Sequence, residues 1–168
     1  MKHPKFFQWF AVGMFFFLFL TLSALSAKEV DFSGKWALNE SSSEMGEGRS
    51  FSATKMTVMQ KENNMTIERT RIGRDGQERS SSETFTLDGK ENMVETENRT
   101  TRTVASWSDN GTTLTVKSNI AFSRQGQTFE MTRTEVWTIE EGGKVLRIQS
   151  ETSSDRGDRS ATFIYNRE

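Results

Sequence analysis

After Leu38 this chain of 168 residues shows no apolar repeat of helical period. Alternation of period two recurs instead, in short runs separated by turn-forming residues. The alternation predicts strands over 32–38, 55–60, 65–71, 78–87, 90–97, 100–107, 112–122, 128–140, 144–153 and 160–167. Between them stand Glu62-Asn63-Asn64, Gly73-Arg74-Asp75-Gly76, Asp88-Gly89, Asp109-Asn110-Gly111, Gln125-Gly126, Gly142-Gly143 and Arg156-Gly157. Gly and Asn tolerate the positive φ that tight hairpin turns require. The sole proline is Pro4, so nothing downstream interrupts a hydrogen-bonded ladder. Strands joined by short hairpins form a meander, and a meander left open would expose two long edges. The expected fold is therefore all-β, an antiparallel up-and-down meander of about 8–10 strands closed into a small barrel.

The N-terminus is of another kind. Lys2 and Lys5 precede an apolar run from Phe6 to Leu25, and Ser23-Ala24-Leu25-Ser26-Ala27 follows before charges begin at Lys28. That is the layout of a secretory signal over 1–27, with a single domain over 28–168. The run is near the ~20 residues that span a bilayer, so an uncleaved anchor is the alternative and the chain's one route to a membrane. Secretion or a periplasmic location is the expectation. The chain has no Cys, so the fold must hold without disulfides, which suits a bacterial envelope protein.

The only His is His3. Beyond the leader there is neither His nor Cys, which removes Ser-His and Cys-His nucleophile pairs and the usual zinc and haem ligands. No metal or cofactor is expected. Glu95, Glu97, Glu140 and Glu141 offer carboxylates, but no pattern brings two of them across a cleft, so the reading is not an enzyme. The net charge is −1 and no basic block occurs, which argues against nucleic acid as a partner. Arg156-Gly157-Asp158 lies in a hairpin turn amid other charges and reads as solvated surface.

The strand over 128–140 places Phe129, Met131, Arg133, Glu135, Trp137 and Ile139 on one face. If that face is the interior, Arg133 can hold an anionic group, with Tyr165 donating a hydrogen bond. If the opposite face points inward, Arg133 and Glu135 are a solvated pair of little energetic value. The 39–53 segment, "NESSSEMGEGRSFSA", is either a flap over a barrel mouth or a surface loop.

The opening stretch "DFSGKWAL", followed by a long loop and a meander, resembles the lipocalin and fatty-acid-binding protein superfamily, and most of all the secreted lipocalin-like domains of bacteria. The resemblance runs from Asp31 to Arg167. It implies that Trp36 closes the barrel's bottom and that a late basic residue, Arg167, packs across it, with Gly34 completing the motif. Lipocalins carry a helix after the barrel, whereas this sequence stops at Glu168. Fatty-acid-binding proteins carry two short helices for which 39–53 is too short, and they hold the ligand carboxylate with Arg-x-Tyr on the last strand. Here Tyr165 matches that Tyr and Phe163 stands in place of the Arg. The resulting expectation is a binder of a small hydrophobic or amphipathic ligand, contacted by Arg133, Glu135, Tyr165, Met131 and Phe129. The alternative is an envelope interaction protein with a filled barrel, using its outer face or the 39–53 loop.

Overall fold

The computed structural model describes residues 28–46, 52–73 and 75–168. Residues 1–27, expected to be a secretory leader, and 47–51 of the expected 39–53 loop lie outside the described residues. Ten strands follow in chain order: β1 (Gly34–Leu38), β2 (Lys55–Lys61), β3 (Asn64–Ile72), β4 (Glu78–Thr86), β5 (Glu91–Thr96), β6 (Arg99–Trp107), β7 (Thr113–Arg124), β8 (Gln127–Glu140), β9 (Val145–Ser154) and β10 (Arg159–Arg167). Each predicted strand is present, with ends shifted by at most two residues. Phe32, expected on the first strand, precedes it and folds inward under it.

All ten strands belong to one antiparallel sheet in the order β4-β3-β2-β1-β10-β9-β8-β7-β6-β5. The meander is therefore joined into a ring by β1 pairing with β10. It closes except between β4 and β5, which share no ladder. That seam is bridged by the Thr86 N–H donating to Asn92 Oδ1 at 3.2 Å and the Gly89 N–H donating to the Ala105 carbonyl at 3.0 Å. The β7–β8 turn has φ of 52° at Gln125 and 77° at Gly126, two successive positive values whose twist suits a tight hairpin.

The 39–46 segment is neither flap nor free loop. Its N–H groups at Asn39 and Glu44 donate to the Ile164 and Thr162 carbonyls, and Ser43 Oγ accepts from the Ile164 N–H. It extends β1 along β10 as part of the wall.

Inward-facing residues grade from closed to open along the bore. At one end Phe32, Trp36, Met65, Ile67, Leu114, Trp137 and Leu146 are fully buried and fill the interior. The Trp36 indole N–H donates to the Phe32 carbonyl at 3.0 Å, and the Arg167 guanidinium lies 4.3 Å above the Trp36 ring. Arg167 also donates to the Ser33 and Gly143 carbonyls. This face-on stack adds a cation–π attraction to the apolar burial of the ring. Gly34 has φ of +149°, and a Cβ there would collide with the Arg167 guanidinium. The Gly-x-Trp spacing thus serves the arginine as much as the tryptophan. Toward the other end Phe122, Phe129, Met131 and Phe163 are only partly buried, and Ser81 and Val94, whose registers place them on the inner face, are exposed.

Gly34→Ala is expected to destabilise the fold by roughly 1–3 kcal/mol in urea unfolding, from backbone strain plus displacement of Arg167. In an Arg167→Ala background the same substitution costs less, because the collision is gone and only the strain remains.

Candidate functional site

Between the filled half and the open half lies a layer of charge. On β3 the inward face runs Met65, Ile67, Arg69, Arg71; on β8 it runs Trp137, Glu135, Arg133, Met131. These strands stand on opposite sides of the ring. Arg69 reaches across the bore and forks onto Glu135, with Nη1 to Oε1 at 3.0 Å and Nη2 to Oε2 at 2.9 Å. The Trp137 indole N–H donates to the same carboxylate at 3.1 Å, and the Arg69 guanidinium sits 5.7 Å from the Trp137 ring centroid. Glu83, on the inner face of β4, approaches Arg69 at 3.3 Å and Arg133 at 3.9 Å, while Arg133 Nε lies 3.5 Å from Glu135.

Arg69 and Glu135 are 7% and 4% exposed, so each charge has largely left water. Such transfer costs several kcal/mol per ion and is offset only by close pairing and satisfied hydrogen bonds. Burial alone would push the Glu135 carboxyl up, but Arg69, then Arg133, hold it well below the usual carboxylate range. For Arg69 burial opposes the charge, and Glu135 more than compensates, so its pKa is raised. Tyr165, almost fully buried beside this layer, has its phenol pushed up to about 12, chiefly by burial. It is therefore a neutral phenol at physiological pH.

The β8 face carrying Phe129, Met131, Arg133 and Glu135 is the interior one, so Arg133 and Glu135 are not a solvated surface pair. Glu135 belongs to the buried strut. Arg133 lies one step nearer the opening, with 21% of its side chain exposed. Phe129 stacks on Phe122 with ring centroids 5.3 Å apart, and Arg156 caps it from the β9–β10 turn, so Phe129 forms the lip. Tyr165 lies deeper, within the filled core. Arg69, Arg71 and Glu83 were not among the residues expected from the sequence. The signal for the two arginines was present in "NMTIERTRI", where they continue the apolar stripe of Met65 and Ile67 in the same phase.

Two hollows, of about 350 and 530 Å³, lie against the outer wall at β2–β4 and β6–β9. They are lined mainly by Ser, Thr and charged residues and include none of the charged layer.

No family model matches this sequence, and no curated protein matches it. Among solved structures, the chain is similar to zebrafish ileal bile acid-binding protein crystallised with cholic acid. The identity is 20% and the TM-score 0.53, over 82% of this chain and 98% of that one. The likeness is one of fold, which in this chain is a nearly closed barrel of ten antiparallel strands.

Removing one partner of the strut leaves the other charge buried and unpaired. Glu135→Gln is expected to cost about 3–5 kcal/mol in chemical unfolding at neutral pH, whereas the paired replacement Arg69→Met with Glu135→Leu recovers most of that loss. The pH dependence has a definite sign. The folded Glu135 carboxyl titrates below its unfolded value, so its contribution is complete above about pH 5 and is lost as the pH falls toward the folded value. Urea midpoints measured from pH 7 to pH 3 should therefore fall less steeply for Glu135→Gln than for the wild type.

Proposed function

We propose that this protein is a secreted or periplasmic binding protein that takes a small, mainly apolar ligand into the open half of its barrel, and that it is not an enzyme. The observation that carries this reading is the exposure of inward-facing residues beyond the charged layer. Val94 on β5 and Ser81 on β4 face the bore and yet meet solvent, on either side of the one seam without a ladder. The apolar side chains that face inward on this side of the layer are Phe122, Phe129, Met131, Phe163 and Val94, none of them fully buried. A ligand laid against them would be stabilised by burial at ~25 cal/mol per Å² of apolar surface. Arg133 stands at the floor of this space. The cholic acid carried by the structural neighbour is a ligand of the same amphipathic kind, which supports the reading.

One observation favours the interaction-protein reading. Met59, Ile72 and Met93 are large apolar side chains more than half exposed, and their strand registers turn them to the outer wall. They are scattered over three strands and form no single patch, which weighs against a docking face.

Native mass spectrometry separates the two. The protein, exported by its own leader and purified without detergent, is expected to carry a discrete added mass of a few hundred daltons that leaves on denaturation. A bare mass, with no uptake of added lipids, would move the function to the outside of the barrel.

A further inference from the structure

A sheet closed into a full ring has no edges, and this one keeps two. β4 and β5 are its end strands and share no ladder. In the β5–β6 hairpin the two-residue turn over 97–98 makes Thr96 and Arg99 a hydrogen-bonded pair. By alternation Val94 and Asn92 also direct their main-chain groups at β6. Glu91, Met93 and Glu95 direct theirs at the seam. In the β3–β4 hairpin the Gly73 N–H donates to the Gln77 carbonyl, and the same alternation turns Ser80, Ser82, Thr84 and Thr86 toward the seam. The Thr86 N–H is met there by the Asn92 side chain and not by the β5 main chain. Even next to the turn that joins the two strands, a side chain is needed to bridge them.

The two edges differ in character. Along β4 the exposed run includes Ser80, Ser81 and Ser82, with no apolar side chain before Phe85. β5 carries an apolar residue on each face, Met93 on the outer wall and Val94 on the inner one, 56% and 57% exposed. A contact on either wall alone covers only one of them. A strand laid along the edge covers both, because its side chains alternate between the same two faces as those of β5. Its main chain meets the N–H and C=O groups of Glu91, Met93 and Glu95. The charge on this edge is one-sided. Glu91, Met93 and Glu95 share the outer face, and Glu97 follows in the turn. Glu91 has Arg102 at 3.5 Å, whereas Glu95 and Glu97 make no ion pair among the described residues.

We infer that the β5 edge is a docking site for an extended segment of another protein, added as an antiparallel strand. In that segment an apolar residue opposite Met93 is flanked at two-residue spacing by lysine or arginine. Opposite charges across a ladder attract, so the flanking cations lie beside Glu91 and Glu95. A second copy of this chain does not fit. With Glu91, Met93 and Glu95 facing out, two antiparallel β5 edges pair about Met93, which sets Glu91 of each copy opposite Glu95 of the other. Like charges directly opposite are destabilising, and charge of this kind keeps a free edge from pairing with itself. The inference goes beyond the ligand-binding reading and needs no space inside the barrel.

Two labelled peptides that differ only in charge provide the test, Thr-Lys-Val-Ile-Val-Lys-Thr and Thr-Glu-Val-Ile-Val-Glu-Thr. In fluorescence anisotropy titrations of the wild-type protein, the lysine peptide is expected to bind saturably and about tenfold or more tighter than the glutamate one. The preference should shrink as salt is raised. Backbone amide shifts in NMR should fall on Glu91–Thr96. Methylating the isoleucine N–H of the lysine peptide removes its donor to the Met93 carbonyl and should weaken binding about tenfold. Glu91→Lys with Glu95→Lys, both at exposed positions, should reverse the preference between the peptides. No saturable binding of the lysine peptide, equal binding of the two, or amide shifts that spare β5 would overturn the docking edge. Concentration-dependent dimerisation of the protein through β5 would overturn it too, by giving the edge to a second copy.

Discussion

The fork between Arg69 and Glu135 crosses the bore of the barrel, and the organisation of the interior turns on it. Two strands that never pair, β3 and β8, are tied through the middle rather than around the wall. A hydrophobic residue at either position would make the closed-end core continuous with the mouth. A buried charge forbids that simple filling, because it requires acceptors and donors around it. The Trp137 N–H, Glu83 and Arg133 supply much of that requirement, leaving Arg69 Nε without a partner, and their positions set where the packed core ends. Toward Trp36 the inward side chains are fully buried, and beyond the layer they are only partly buried or exposed.

The closed end is built by a second cation, used differently. Arg167 lies flat on Trp36 and donates outward to backbone carbonyls near the surface. It never leaves water entirely, so its desolvation cost is small, and the apolar ring beneath does the excluding. The two arginines show one side chain serving two purposes. On an aromatic at the rim the guanidinium seals. In the middle of the bore, with a carboxylate opposite, it partitions.

Arg71 gains its meaning from the same partition. On the outer wall it would be one more solvated charge of little consequence. Placed just above the strut, it makes no ion pair among the described residues, and its Nε is buried without a hydrogen-bond partner.

The fold was written in local patterns. Period-two alternation and turn chemistry at Asp88-Gly89 or Gln125-Gly126 depend only on neighbouring residues, so the ten strands followed from sequence. Closure into a barrel followed from the cost of free edges, and Gly34, Trp36 and Arg167 were expected at its bottom from a resemblance of sequence. The candidate site was half visible. Arg133 and Glu135 stood out because apolar neighbours flanked them on one strand. Arg69 and Arg71 sat in an equally regular stripe, and nothing within that strand distinguished a buried arginine from an exposed one. That distinction belongs to the tertiary structure. Whether an inward charge is a strut, a surplus or a solvated group depends on what faces it across the bore, and the facing residue, Glu135, lies 66 positions away along the chain. The alternation of this sequence by itself determined which side chains share a face. Only the closing of the sheet decided which of them meet, because pairing across a barrel is set by the register of every strand between.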